Sequence, residues 1–128
     1  VCDVIHEPCA VFNEIDYGPD ENKPDSDVIS RIGAESLKAW DRDGTMPEGW
    51  SPRPENIIQN WKDFLFRVHN EFAGQKVLVV TSNGVARFAA ACTVNGTDFP
   101  LKLATGSYGV ITSESKGGWR MQEWNTRP

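Results

Sequence analysis

The stretch that most constrains the fold of this chain runs from Lys76 to Arg87 and reads KVLVVTSNGVAR. It opens with the apolar run Val77 to Val80, and such a run bounded by turn residues predicts a β-strand buried on both faces. The segment Val85 to Cys92, after the turn, is rich in alanine and predicts a helix whose first turn is capped by Ser82 or Asn83. A strand, a tight turn and a helix in this order indicate an α/β protein.

The turn of this unit is the first candidate binding site. In α/β proteins, ligands bind beyond the carboxyl ends of parallel strands. A helix N-terminus there offers unpaired N–H groups and a positive dipole end, so we expect an anion at residues 82–84. Any α/β domain has several such loops. The alternative is therefore that this turn has only a structural role and binds no ligand.

Length, charge and cysteine content limit the other classes of function. The 128 residues predict a single domain spanning 1–128. A net charge of −5 without a basic stripe argues against nucleic acid as a partner. No apolar run is long enough for a membrane span, and no signal-peptide pattern begins the chain. Cys2, Cys9 and Cys92 form no CxxC motif, which predicts reduced thiols in a cytoplasmic protein without a metal site or cofactor.

Apolar spacing predicts two further helices. One is capped by Asp25 or Ser26, is weakened at Gly33 and ends before residue 44. The other has Pro52 and Pro54 in its first turn, with Ser51 as the candidate cap, and Gly74 closes it. Its apolar stripe makes it the clearest helix of the chain and comprises Ile57, Ile58, Trp61, Leu65, Val68 and Phe72.

The remaining segments predict strands, and one of them places a carboxyl group. Residues 101–112 and 118–124 predict the two strands of a hairpin, and residues 10–12 predict a short strand. Glu14 follows this short strand and precedes a Tyr17–Gly18 turn. Partial burial there would favour the protonated acid, which can donate a proton to a leaving group. Spacing alone favours a solvated loop carboxylate instead.

Other catalytic arrangements find less support in the sequence. Ser82 lies at a strand-to-helix turn, but its context V-T-S-N-G lacks the first glycine of the hydrolase nucleophile elbow. Both histidines, His6 and His69, precede Ser82, whereas the hydrolase order places a histidine after the serine. We therefore do not expect Ser82 to be an activated nucleophile. His69 lies near the apolar stripe and is interpreted as a packed or surface residue.

Four segments occur in the order typical of one family. Residues 12–18 (FNEIDYG) resemble an L-x-E-(I/x)-x-(F/Y)-G element, and residues 54–56 resemble the Gly-Glu-Ser that opens the corresponding helix. Residues 79–87 (VVTSNGVAR) resemble V-V-S-H-G-G-V-I-R. Residues 103–107 together with 118–125 are similar to a closing hairpin that ends in W-x-L-x-x-(W/L)-N. In this order they resemble the histidine phosphatase superfamily, with the phosphoglycerate mutase-like fold.

The resemblance implies a three-layer α/β/α sheet and a reaction on a phosphate monoester. In the family, the histidine of an Arg-His-Gly segment attacks the phosphate, arginines clamp its oxygens, and a glutamate protonates the leaving oxygen. Glu14 matches that glutamate. Ser82 stands in the place of a second pocket histidine, so the resemblance implies that Ser82, Asn83 and Gly84 line the phosphate pocket. A serine can donate a hydrogen bond there but carries no positive charge.

The main departure from the family is the absence of Arg-His-Gly from the chain. We therefore expect the sheet to be incomplete on its N-terminal side, and the chain alone to lack phosphatase activity. Three interpretations remain open: a C-terminal fragment, a chain whose sheet is completed by another chain or copy, or a shortened relative without catalysis. The last of these is a phosphate-binding or assembly module.

Overall fold

A computed structural model describes residues 4–128 of the chain. Within this range the helices are α1 (Asp25–Ile32), α2 (Ala34–Asp43), α3 (Pro54–Glu71) and α4 (Asn83–Ala86). The strands are β1 (Tyr108–Ser113) and β2 (Trp119–Thr126). Short 3-10 helices span Ala10–Phe12, Gly18–Asp20, Arg87–Cys92 and Gly96–Asp98. No helix among the described residues is long and apolar enough to cross a membrane.

The helix expected from Asp25 onward is two helices, α1 and α2, divided at Gly33. Gly33 has φ +84°, a conformation that interrupts an α-helix and that glycine adopts without strain. The expected cap was wrong, because Pro24 occupies the N-cap position. Asp25 lies in the first turn instead, where its negative charge interacts favourably with the positive end of the helix dipole. Gly44 ends α2 in the left-handed conformation, and its N–H donates to the carbonyl of Trp40 at 3.1 Å.

Helix α3 begins at Pro54, later than predicted, because Arg53 rather than Ser51 occupies its N-cap position. Its residues Ile57, Trp61 and Leu65 recur at a four-residue spacing and are all buried. The helix ends at Glu71 and is capped by Phe72, whose N–H donates to Val68 at 3.0 Å, so the helix stops before the expected Gly74. The long apolar stripe therefore packs α3 along the core.

The core is formed by side chains of α1, α2, α3 and the helical segment 83–92, together with residues 12–15 and 46–50, and is rich in aromatic side chains. The ring of Phe12 lies 4.5 Å from Trp61 and 5.0 Å from Phe64, measured between centroids. The rings of Trp40 and Trp50 meet edge to face at 5.4 Å. Burial of one such side chain stabilises a protein by roughly 1.5–3 kcal/mol. The buried set comprises Phe12, Ile15, Val28, Trp40, Met46, Trp50, Ile57, Trp61, Val85, Phe88 and Ala89.

The predicted hairpin is confirmed. Strands β1 and β2 pair in antiparallel fashion, with Thr112 opposite Arg120 and Ser113 opposite Trp119. Strand β1 starts later than the sequence predicts, because a turn closed by the Ser107 N–H on the carbonyl of Ala104 precedes it.

The two other strand predictions were wrong for the chain as described. Residues 10–12 form a 3-10 helix, and residues 76–82 belong to no β-ladder. Leu78 and Val80 are each 85% exposed, whereas Val79 between them packs partly against the core. This alternation is that of a strand with one covered face, and residues 4–128 supply no neighbouring strand for it. The sheet of the described residues therefore has two strands within a mixed α/β fold.

Candidate functional site

The structure brings Glu14 and Ser82 into direct contact. The Ser82 hydroxyl donates to Oε1 of Glu14 at 2.7 Å, and the N–H of Ile15 donates to the same oxygen at 2.9 Å. The two chain segments are held together by the Thr81 hydroxyl, which donates to the carbonyl of Phe12 at 2.6 Å. Because Phe12 is anchored in the aromatic core, this bond holds Thr81 next to the segment that carries the exposed Glu14.

Ser82 is the N-cap residue of α4, but its side chain does not cap the helix. Its hydroxyl is directed to Glu14 instead, while its carbonyl accepts from the N–H groups of Val85 and Ala86. The α-helix expected over residues 85–92 begins at residue 83, spans four residues and continues as a 3-10 helix. Its dipole is therefore weaker than that of the full α-helix expected from the sequence.

The two residues after Ser82 contribute their backbone to this surface. The N–H groups of Asn83 and Gly84 donate to no backbone or side-chain acceptor of residues 4–128. The side-chain oxygen of Asn83 accepts from the N–H of Leu103 at 2.9 Å, which ties α4 to the segment preceding β1. The side chain of Asn83 thus positions the turn, and its N–H remains free of partners in this range.

The absence of a side chain on Gly84 lets the turn lie close to the Glu14 segment. A Cβ atom on Gly84 would lie 2.5 Å from Oε1 of Glu14 and 3.2 Å from Cγ1 of Ile15. Both distances are shorter than ordinary van der Waals contact, so a side chain at this position would displace the Glu14 carboxylate and the Ile15 side chain.

Tyr17 lies beside Glu14 and was not among the site residues predicted from the sequence. Its ring packs edge to face on Trp50 at 4.8 Å. Burial raises the pKa of Tyr17 to about 12, and the negative charge of the neighbouring Glu14 adds to this effect. The hydroxyl therefore stays neutral and able to donate. The sequence feature that could have identified Tyr17 as a site residue is its place in the FNEIDYG segment, three residues after Glu14.

Arg87 is a fully buried charge behind the same turn and was also not predicted. Its guanidinium lies 4.1 Å from the ring centroid of Trp40, and its Nη1 donates to the Trp40 carbonyl at 2.5 Å. Its Nε donates to the carbonyl of Asn83 at 3.3 Å. Burial lowers the pKa of Arg87, and the charge of Asp41 opposes that shift. The sequence feature that could have identified Arg87 as a buried charge is its position as the single arginine in the apolar run VARFAAAC.

Two loops next to the site are fastened by the buried carboxylate of Asp20. Arg31 donates to it with two nitrogens, its Nε at 2.7 Å, and the indole N–H of Trp50 donates at 2.8 Å. Arg31 also donates to the carbonyl of Glu48 at 2.9 Å. The guanidinium of Arg31 lowers the pKa of Asp20. These bonds join residues 17–24 to residues 44–54.

The histidines and the cavities of the described residues lie away from Glu14 and Ser82. Nδ1 of His69 is 3.2 Å from the Ser113 hydroxyl, and His6 is exposed. Two cavities, of about 270 and 370 Å³, are lined by other residues. No cluster of three metal-binding side chains occurs within residues 4–128. Cys9 and Cys92 are free thiols, and Cys2 lies outside the described residues.

The family of the chain follows from comparison with known proteins. The family model described as histidine phosphatase superfamily (branch 1) matches residues 3–127. The chain therefore belongs to the histidine phosphatase superfamily, as the resemblance predicted. No significant match was found among curated proteins or among solved structures.

Proposed function

We propose that this chain carries the proton-donor and phosphate-pocket half of a histidine phosphatase-like protein that acts on a phosphate monoester. The observation that carries the proposal is the 2.7 Å contact between Glu14 and Ser82 at the turn that precedes α4. In this proposal Glu14 protonates the leaving oxygen. Ser82 and the N–H groups of Asn83 and Gly84 donate to the phosphate oxygens.

Ser82 can contribute to phosphate binding, but it cannot supply the positive charge or the proton transfer that a histidine at this position would provide. A hydroxyl can donate to a phosphate oxygen, but it neither carries a positive charge nor relays a proton near neutral pH. The sequence also lacks the Arg-His-Gly segment that supplies the attacking imidazole in the family. We therefore expect these 128 residues alone to bind phosphate weakly and to have no turnover.

The proposal includes the architecture that would complete the site. In a three-layer α/β/α arrangement, residues 76–81 would be an interior strand with neighbours on both edges. The exposed Leu78 and Val80 and the absence of any ladder at residues 76–82 support this, because they are what such a strand presents when its neighbours are lacking. A cytoplasmic location is also proposed from the free thiols of Cys9 and Cys92, and a disulfide in the protein isolated from cells would contradict it.

An NMR titration with inorganic phosphate tests the pocket. We expect the amide signals of Ser82, Asn83 and Gly84 to shift together, and the shifts to be smaller in Ser82→Ala. The matched control is Ser30→Ala, since Ser30 is exposed on α1 and its hydroxyl bonds the carbonyl of Ser26. Shifts elsewhere only, or none, would contradict the phosphate pocket. Turnover of p-nitrophenyl phosphate that disappears in Glu14→Gln would contradict the expected inactivity.

A second candidate function, an assembly module, is favoured by the same exposed segment. An unpaired apolar strand is a template for pairing with another chain. If this is its role, the chain forms a stable dimer or partner complex through residues 76–81. Sedimentation that shows a compact monomer at all accessible concentrations would exclude a role in self-assembly.

A further inference from the structure

Arg87 has an incomplete set of partners for a charge that is 0% exposed. Its Nη2 has no hydrogen-bond acceptor within residues 4–128, and the closest carboxylate oxygen, on Asp41, is 4.0 Å away. That carboxylate also holds Lys102, whose Nζ lies 2.7 Å from its other oxygen. Burying a guanidinium whose hydrogen-bond donors are only partly paired costs free energy. A role for the Arg87 charge beyond packing would explain why this cost is tolerated.

The position of Arg87 relates it to the turn of the candidate site. Its Nε bonds the carbonyl of Asn83, and it follows Gly84 by three residues, which places both on one side of a helical turn. Gly84 in turn lies against the carboxylate of Glu14. The Arg87 guanidinium is therefore bonded to the same turn that presents Ser82.

We propose that Arg87 is a positioning residue of the phosphate pocket, which holds the Asn83–Ala86 turn in place and whose buried charge favours an anion at Ser82. This inference rests on the proposed function above. A charge surrounded by protein rather than water acts over a longer distance, because the effective dielectric constant is lower. Arg87 thereby provides part of the positive potential that a serine at position 82 does not.

The electrostatics of the neighbouring groups support this assignment. Besides Asp41, the groups that act on the pKa of Arg87 are Tyr17 and Glu14, both at the candidate site. Conversely, the charge of Arg87 opposes the upward shift in the pKa of Tyr17. The buried guanidinium and the site therefore lie within each other's electrostatic reach.

Phosphate titrations of Arg87→Met and Arg87→Lys separate the charge from the packing. We expect Arg87→Met to weaken the binding of inorganic phosphate about tenfold, since a buried unit charge near a bound anion contributes on that order at an effective dielectric constant of about 20. Arg87→Lys retains the charge and should bind within about threefold of wild type, although both variants lose the stacking on Trp40. The control Arg67→Met removes an exposed charge paired with Glu7 and should leave binding unchanged.

Asp41→Asn provides a test that does not disturb the core. Asp41 is 46% exposed and partly neutralises Arg87, so its removal should strengthen phosphate binding a few-fold, whereas the exposed Asp63→Asn should have no effect. If wild type binds phosphate at Ser82 and neither Arg87→Met nor Asp41→Asn changes the affinity, this inference is overturned and the proposed function stands. If wild type shows no binding, both are overturned.

Discussion

The Ser82 hydroxyl donates a 2.7 Å hydrogen bond to the carboxylate of Glu14, which lies 68 positions earlier in the chain. The acceptor oxygen also receives the N–H of Ile15 at 2.9 Å. Glu14 is thus held as an acceptor in the absence of a ligand. A phosphate that displaces the Ser82 bond brings its own negative charge next to this carboxylate.

Glu14→Gln should therefore strengthen the binding of inorganic phosphate several-fold. Glutamine is a neutral mimic of the protonated acid, and its amide donates where the carboxylate repels. The measurement is the phosphate titration of the Ser82, Asn83 and Gly84 amides. Glu35→Gln, which removes an exposed carboxylate on α2, serves as control and should not change the affinity. Weaker binding in Glu14→Gln would argue against repulsion at this site.

Gly84→Ala should separate the turn from Glu14 and destabilise the protein by about 1–3 kcal/mol, as overpacking commonly does. The added Cβ would meet Oε1 of Glu14 at 2.5 Å and Cγ1 of Ile15 at 3.2 Å. The measurement is denaturant unfolding of a double-mutant cycle with Glu14→Ala. Alanine at position 84 should cost less in the Glu14→Ala background, and equal costs would show that the carboxylate is not the obstacle.

The order of motifs in the sequence predicted which segments of this fold belong together. The resemblance of residues 12–18 and 79–87 to two family elements implied that Glu14 and Ser82 lie close together, and the structure places them in contact. Their roles at a phosphate pocket stay a prediction. Local pattern also predicted α3 and the hairpin, because a helical stripe and a short-range strand pair depend on neighbouring residues.

Features that depend on distant partners were not predictable from the sequence. The apolar run Val77–Val80 predicts a buried strand, but a ladder requires neighbours that residues 4–128 do not supply. Tyr17 and Arg87 were missed because their roles arise from burial and from the groups that surround them. A charged residue in an apolar run gives only a general signal, and its stacking on Trp40 appears only once the helices are packed.

Asp20→Asn should lower the midpoint of thermal unfolding at neutral pH by about 5 °C or more, because it breaks the bonds of a buried carboxylate to Arg31 and Trp50. Arg31 lowers the pKa of Asp20 in the folded protein. The stabilisation is therefore fully present above the ordinary aspartate pKa of about 3.9 and is lost as the pH falls through the folded value. Midpoints measured from pH 7 to pH 3 should converge for wild type and Asp20→Asn. A gap of constant size would contradict the linkage.

Tyr17 should make the protein less stable at alkaline pH. The unfolded chain loses the tyrosine proton near pH 10, whereas the folded protein retains it up to a pKa of about 12. The folded state then binds more protons, so stability falls as the pH rises above about 10. Denaturant unfolding from pH 8 to pH 11 should show a smaller decline in Tyr17→Phe than in wild type. Parallel declines would indicate that Tyr17 is not the group responsible.

Threonine substitutions at neighbouring positions of residues 78–80 should have opposite effects on stability and self-association. Leu78 and Val80 are each 85% exposed, so Leu78→Thr and Val80→Thr should leave the unfolding free energy of the monomer almost unchanged. If the segment pairs with another copy, as the assembly proposal expects, both should reduce self-association, because they remove the apolar face of an unpaired strand. Val79 packs against the core, so Val79→Thr should destabilise the protein by about 1–2 kcal/mol. Sedimentation velocity over a concentration series measures the self-association, and denaturant unfolding measures the stability.

Self-association that persists in the double variant Leu78→Thr/Val80→Thr would place the contact on another surface. Equal stabilities for all three single variants would contradict the alternation of covered and exposed side chains along residues 78–80.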